Sequence, residues 1–288
     1  MNPADITHIF TVAALSNGTD SPGMIKVLEL TENGDFDRLS PETICGLLRF
    51  VGFATAKQAE KSGHLKRDRD GQIESMKHQG LTREIAALSR LAGLLNFSPA
   101  LEAMIDNGLD RLKASLIGNL PAGTPDIESH WQSLKHKQRR QHLEGLHHQL
   151  TSTFNRSALG FLSADIKYKR LPSNIMAHFL FDKDPEKNAD SHPAMEIDPR
   201  HITLSSGADM AGIMAHETIH STLRQLGHMA LHKQIAADHP LYNDARLMAT
   251  RIQTDSYLPL WMGDAHFADL EERMAYKHKA FSASLASP

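Results

Sequence analysis

Cysteine is nearly missing from this chain: Cys45 is the only one in 288 residues. One thiol cannot close an intrachain disulfide, so nothing in the fold depends on an oxidising compartment. Its apolar setting, Thr43-Ile-Cys-Gly-Leu-Leu48, marks it as a small buried hydrophobe. Long apolar runs are missing too. No stretch approaches the roughly 18 residues of a membrane-spanning helix, so no membrane span is expected. Met1 is not followed by the basic region and apolar core of a secretory signal peptide, and a start in the reducing cytosol is expected. Charge of one sign is not in excess: the net charge is −3 and the pI near 6.6, giving no global pull toward nucleic acid or membranes. No internal repeat or low-complexity tract is visible.

What is present is an ordinary globular composition, 41% hydrophobic and 23% charged, with enough length for one large or two modest domains. The first half is expected to be all helical. Helices are expected over 4–16, over 22–33 (Pro22 at the start, Gly34 at the end) and from Ser40-Pro41, where Ile44, Leu47, Leu48 and Val51 share a face. Lys57 to Gln79 is polar and reads as a solvated helix, loop or arm. Ala86, Leu88, Leu91, Leu94 and Leu95 mark a helix, and Pro99 opens another to about Ile117. Residues 119–125 are the best linker candidate, and one long polar helix is expected from Asp126 to about Phe154. The domain expectation is a helical region over 1–120, a connecting helix over 121–154 and a third region over 155–288.

Two features of this half have bland readings. Lys135-His-Lys-Gln-Arg-Arg140 is basic, but with only Trp131 nearby to stack on bases it reads as a solvated helix face, and no nucleic-acid partner is expected. His142, His147 and His148 lack a carboxylate or thiol to complete a metal site.

After Arg156 the texture changes. Asp165 to Leu171 alternates polar and apolar, Ile175 to Phe181 reads as a second strand, and Met195 to Leu204 as one or two more, with a polar loop over 182–193 between. Ile202-Thr-Leu204 is the expected edge strand beside the next element.

That element carries the chemistry. Ala211-Gly-Ile-Met-Ala-His216-Glu217-Thr-Ile-His220 contains H-E-x-x-H, which a random chain with 18 histidines and 14 glutamates in 288 residues would show with a probability of roughly 0.05. On a helix His216 and His220 share a face and can hold one Zn²⁺, while Glu217 lies about 100° round, placed to take a proton from a metal-bound water. Ala208, Ala211, Ala215, Ile219, Leu223 and Leu226 form a separate apolar stripe. Small Ala211, Gly212 and Ala215 permit a close neighbour, and Gly227 is the expected C-cap.

A catalytic zinc needs a third protein ligand and an open position. Leu223 and Leu226 exclude the metzincin pattern, which requires glycine and histidine there. Asp264 to His278 reads as one later helix with Asp264 as N-cap, carrying Glu272-Arg-Met-Ala275-Tyr276. Here the chain resembles the glutamate-ligand zincin metallopeptidases (gluzincin-like), many of which carry E-x-x-A on a later helix, often followed by an aromatic residue. The resemblance covers residues 155–288 and implies Glu272 as third ligand. The helical wheel instead puts Glu271 nearer the stripe of Phe267, Leu270, Met274 and Phe281. His228, His232, Asp238, His239 and Asp244 stay open as alternatives. The long spacing from His220 to Glu272 leaves room for two helices, expected at Met229–Ala237 and Leu241–Tyr257.

The expected fold class is therefore α+β, mainly α: a helical N-terminal region followed by a zincin-like domain with a small mixed sheet. The expected activity is that of a zinc metalloendopeptidase with one Zn²⁺ per chain, Glu217 as base and then acid, and a polypeptide substrate. His266 and Tyr276 are the first candidates for stabilising the oxyanion, ahead of Tyr257, Tyr242 and His228. The competing readings are a helical scaffold with an inactive motif and a zinc amidohydrolase acting on a small substrate. The layout also resembles bacterial toxins and secreted effector peptidases, which implies export without a signal peptide. No feature signals an oligomeric state.

Overall fold

The computed structural model describes residues 22–33, 39–67, 73–76, 81–155, 159–171, 175–180 and 193–286. The helix expected over 4–16 and nearly all of the loop over 182–193 lie outside them. In chain order the elements are α1 (Pro22–Asn33), α2 (Pro41–Lys61), β1 (Leu65–Arg67), β2 (Ile73–Met76), α3 (Thr82–Gly93), α4 (Pro99–Gly118), α5 (Ile127–Ser133), α6 (His136–Phe154), β3 (Asp165–Tyr168), β4 (Ala177–Leu180), β5 (Ala194–Ile197), α7 (Pro199–Leu204), α8 (Gly207–Leu231), α9 (Tyr242–Thr254), a 3₁₀ turn (Leu260–Met262), α10 (Asp264–Ala268), α11 (Leu270–Ala275) and α12 (Lys277–Ala286). The molecule is mainly helical with a small three-stranded mixed sheet, as its sequence pattern leads one to expect.

The chain forms two compact units, divided differently from the expected boundaries at 120 and 154. One comprises residues 1–97 and 250–273, the other 98–249 and 274–288. The division follows packing rather than sequence order: α3 packs on α1, α2 and the later α10. The expected linker 119–125 is a local turn inside the second unit, closed by Thr124 N–H to Pro121 O at 3.0 Å.

In the first unit α2 is capped by Ser40, whose Oγ accepts from Thr43 N–H, with Pro41 opening the helix. The α2 stripe of Ile44, Leu47, Leu48 and Val51 is buried, as is Cys45. Of the polar stretch from Lys57 to Gln79, residues 57–61 finish α2 and Leu65–Arg67 pairs antiparallel with Ile73–Met76, while residues 68–72 and 77–79 lie outside the described ones. A second cluster, Ala59, Leu65 and Leu81 with Ile85 and Trp261, holds that pair against the helices.

In the second unit the expected long helix is two. Leu134 and Lys135 are extended and separate α5 from α6. Arg139 bridges the break: its Nε donates to the carbonyls of Trp131 (3.1 Å) and Leu134 (3.2 Å), and its Nη1 to Ile202 O (3.0 Å). The sheet order is β3-β5-β4, with β3 parallel and β4 antiparallel to β5. The expected edge strand at Ile202–Leu204 is not a strand but part of α7. Asp198 and Pro199 form a helix start that outweighs β-branched Ile202 and Thr203. Asp198 accepts from Arg200 N–H at 2.9 Å and from Leu171 N–H at 2.9 Å. Arg200 holds the Asp198 carboxyl well below the usual carboxylate range.

The second unit is built round α8, which α5, α6, α12 and β4 all touch. Its N-terminus is fixed twice: Ser206 Oγ accepts from Asp209 N–H at 3.0 Å, and Glu128 Oε2 from Gly207 N–H at 2.6 Å. Gly212 meets α12, where an added Cβ would come 2.9 Å from Ser282 Cβ, so the close approach expected of the small residues is real. Gly227 is not the C-cap. The helix continues to Leu231 and ends where Lys233 turns left-handed (φ 55°), with Gln234 N–H bonded to Met229 O at 2.7 Å. Of the helix expected at Met229–Ala237, residues 229–231 finish α8 and turns take the rest.

His147 of α6 clamps α8 from the side. Ala164 N–H donates to its Nε2 at 2.6 Å, so the ring proton is on Nδ1 and goes to Thr218 Oγ1 at 2.8 Å. Burial, with a smaller push from His148, pulls the His147 pKa down to about 4. An unfolded histidine titrates near 6.5, so the unfolded chain takes up this proton first as pH falls. The stabilisation is complete above about pH 6.5 and is lost between there and pH 4, about 3 kcal/mol in all. Because His142, His178 and His228 are pulled the same way by burial, the check is a difference. His147→Asn should be less stable than wild type at pH 7 in urea titrations and should approach it at pH 4. Parallel curves across that window would assign the acid sensitivity elsewhere.

Candidate metal centre

His216, His220 and Glu272 each offer one ligand atom, and these atoms lie within 4.8 Å of one another. Among the described residues no other group of three histidine, cysteine or carboxylate side chains does so. Glu272 and His220 are buried, His216 half-buried. The His216 and His220 Nε2 atoms face each other at 3.1 Å, as one helical turn dictates. Glu217 follows His216 on α8 and is buried, 6% exposed.

The way Glu272 reaches this group begins at Asp269. The helix expected from Asp264 onward is broken into α10, α11 and α12, and Asp269 sits extended in the first break (φ −57°, ψ 140°). Asp264 is not an N-cap either; Gly263 precedes α10 at φ 57°, a conformation that favours glycine. The Asp269 carboxylate accepts from Arg251 Nη2 (2.8 Å to each oxygen), Leu258 N–H (3.1 Å) and Glu271 N–H (2.9 Å). It thereby restarts the helix as α11 with a new phase.

Three consecutive side chains then leave α11 in three directions. Glu271 pairs with buried Arg251 at 3.4 Å. Arg273 bonds the carbonyls of Ala92 and Leu95 at the end of α3. Glu272 accepts from Tyr257 Oη at 2.5 Å through Oε1, and its Oε2 lies 3.5 Å from His266 Nε2. Burial alone would lower the Arg251 pKa, but Asp269 and Glu271 hold it above the usual arginine value.

The sequence-derived candidates are thus sorted by position. His216, His220 and Glu272 come together, and Glu271 is committed to Arg251. Asp244, once an alternative ligand, accepts from Ser98 N–H (2.7 Å) and Ser98 Oγ (2.6 Å). His266 is buried beside Glu272, with Nδ1 bonded to Leu258 O at 2.8 Å. The Tyr276 ring stands edge-on to His216, centroids 5.6 Å apart. His142, His147 and His148 do not converge: their partners are the His130 ring, Thr218 and Ser163.

Sequence reasoning missed His278, whose Nδ1 lies 3.1 Å from His216 Nδ1 and 2.9 Å from Ala275 O. The usable signal was Gly212, one turn before His216, where an added Cβ would meet His278 at 3.4 Å. A cavity of about 350 Å³ lies between α4, α5 and α6, lined by His130, His142, Asn119, Leu116 and Leu146 among others; it contains none of the expected site residues.

Compared with protein-family models, curated proteins and solved structures, the chain matches none. What can be said of its chemistry rests on the residues themselves.

Proposed function

We propose that this chain is a zinc-dependent peptidase of the zincin type, with His216, His220 and Glu272 as metal ligands and Glu217 as the proton carrier. The observation that carries the proposal is the convergence of the three ligand atoms, two of them from H-E-x-x-H. Two imidazoles and a carboxylate are the donor set of hydrolytic zinc sites, which keep a further position open. When bound, zinc would polarise a substrate carbonyl and acidify water. Glu217, next to His216 on α8, is the base for the attacking water and then the acid for the leaving amine. Tyr276 is the nearby donor that can serve the oxyanion, because the His266 Nδ1–H is already given to Leu258 O.

A polypeptide substrate is supported by the sheet. β4 is an edge strand among the described residues, runs antiparallel to β5 and packs on α8. An extended peptide can add to such an edge by main-chain hydrogen bonds. β4 thus takes the role expected of Ile202–Leu204.

Metal analysis of carefully prepared protein should find one zinc per chain in wild type and far less than one in His216→Ala and His220→Ala. Peptide-library digestion should show cleavage that a chelator abolishes and zinc restores. Wild-type protein that takes up no zinc would remove the basis of this reading.

A further inference from the structure

Glu272 does not hang free from α11. Its Oε1 accepts a short hydrogen bond from Tyr257 Oη, 2.5 Å, and the segment bearing Tyr257 is itself tethered on both sides. Leu258 N–H donates to Asp269, and Leu258 O receives His266 Nδ1 at 2.8 Å. Asp269 also receives Glu271 N–H, so one frame carries both the phenol and the helix turn bearing Glu272.

We infer that Tyr257 is a positioning residue that fixes the Glu272 carboxylate so that a single oxygen is offered to a metal ion. A glutamate with a freely turning carboxylate can give both oxygens to one ion, filling the position that a hydrolytic site keeps for water. A charge-assisted bond to one oxygen opposes this, because bidentate binding would have to break it. The phenol acts through Glu272 and touches no reacting atom. Partners of this kind typically change metal affinity 10–100-fold when removed.

This inference rests on the metal-site reading above, and its test separates the two. Tyr257→Phe in the full chain is compared with wild type by zinc affinity in chelator competition, by the visible absorption of the Co²⁺-substituted protein and by melting of the metal-free protein. The expected result is zinc affinity lower by about 10–100-fold and weaker cobalt d–d bands, as coordination number rises, with metal-free melting still cooperative. Unchanged cobalt bands would overturn the inference, whatever the affinity does. Glu271→Gln, which alters the Arg251 cluster but leaves the Tyr257–Glu272 hydrogen bond in place, should keep the wild-type bands; an equal loss there would overturn the assignment to Tyr257 even if Tyr257→Phe failed to fold. Wild-type protein that binds neither zinc nor cobalt would instead defeat the metal-site reading.

Discussion

Glu217→Gln should keep one zinc per chain and lower peptide hydrolysis by about 10²–10⁴-fold, the usual contribution of a general acid–base group. The amide matches the carboxylate in size and hydrogen-bonding reach, so α8 should keep its packing and the His216–His220 pair its geometry. What is lost is a group that can accept a proton and return it to the leaving amine. Metal content and turnover must be measured on the same preparation, because the separation of the two is the evidence. A variant that keeps both zinc and full turnover would show that Glu217 is not the proton carrier. One that loses zinc would show that it supports the metal instead. The same pair of proteins serves substrate discovery, since new peptide N-termini present with wild type and missing with Glu217→Gln report the cleavage preference.

Much of this site was legible in the chain because it depends on local spacing. Two histidines four residues apart face one way on any helix, and the α8 stripe from Ala208 to Leu226 is buried as its period requires. Helix starts written as Ser-Pro, at Ser40 and Ser98, hold for the same local reason. What was not legible depends on partners far away in sequence. A wheel drawn from Asp264 assumes one continuous helix, and it favoured Glu271 as ligand. The break at Asp269 exists because Arg251, eighteen residues earlier, draws that carboxylate inward. Likewise Arg139 bridges an interruption at Leu134 and reaches Ile202, and no window of sequence shows that bond. The division into units was hidden for a similar reason, since residues 250–273 join a group otherwise made from the first 97. At Ile202–Leu204 the failure was local but of weighting: the Asp198-Pro199 start was present and was outranked by β propensity.

The two adjacent glutamates therefore make the sharpest test. Both are buried, Glu271 at 0% and Glu272 at 2% exposed, so burial cannot distinguish them. Their partners can. Glu272→Gln keeps an acceptor for Tyr257 and the side-chain volume but removes the anionic ligand, so zinc should be lost to a chelator far more readily while the metal-free protein melts much as wild type does. Glu271→Gln weakens the Arg251 cluster instead. Arg251 and Asp269 are both 0% exposed in their side chains and stay paired at 2.8 Å, so the arginine is not left alone. The cost should be about 1–3 kcal/mol, below the roughly 3–5 kcal/mol of a buried charge stripped of its partner. The folded fraction of Glu271→Gln should still bind one zinc. Denaturant melting and chelator competition on both variants thus give a crossed pattern, with stability moved by one substitution and affinity by the other. The reverse pattern would return the ligand role to Glu271, and loss of zinc affinity in neither would mean that the third ligand is not a glutamate of α11.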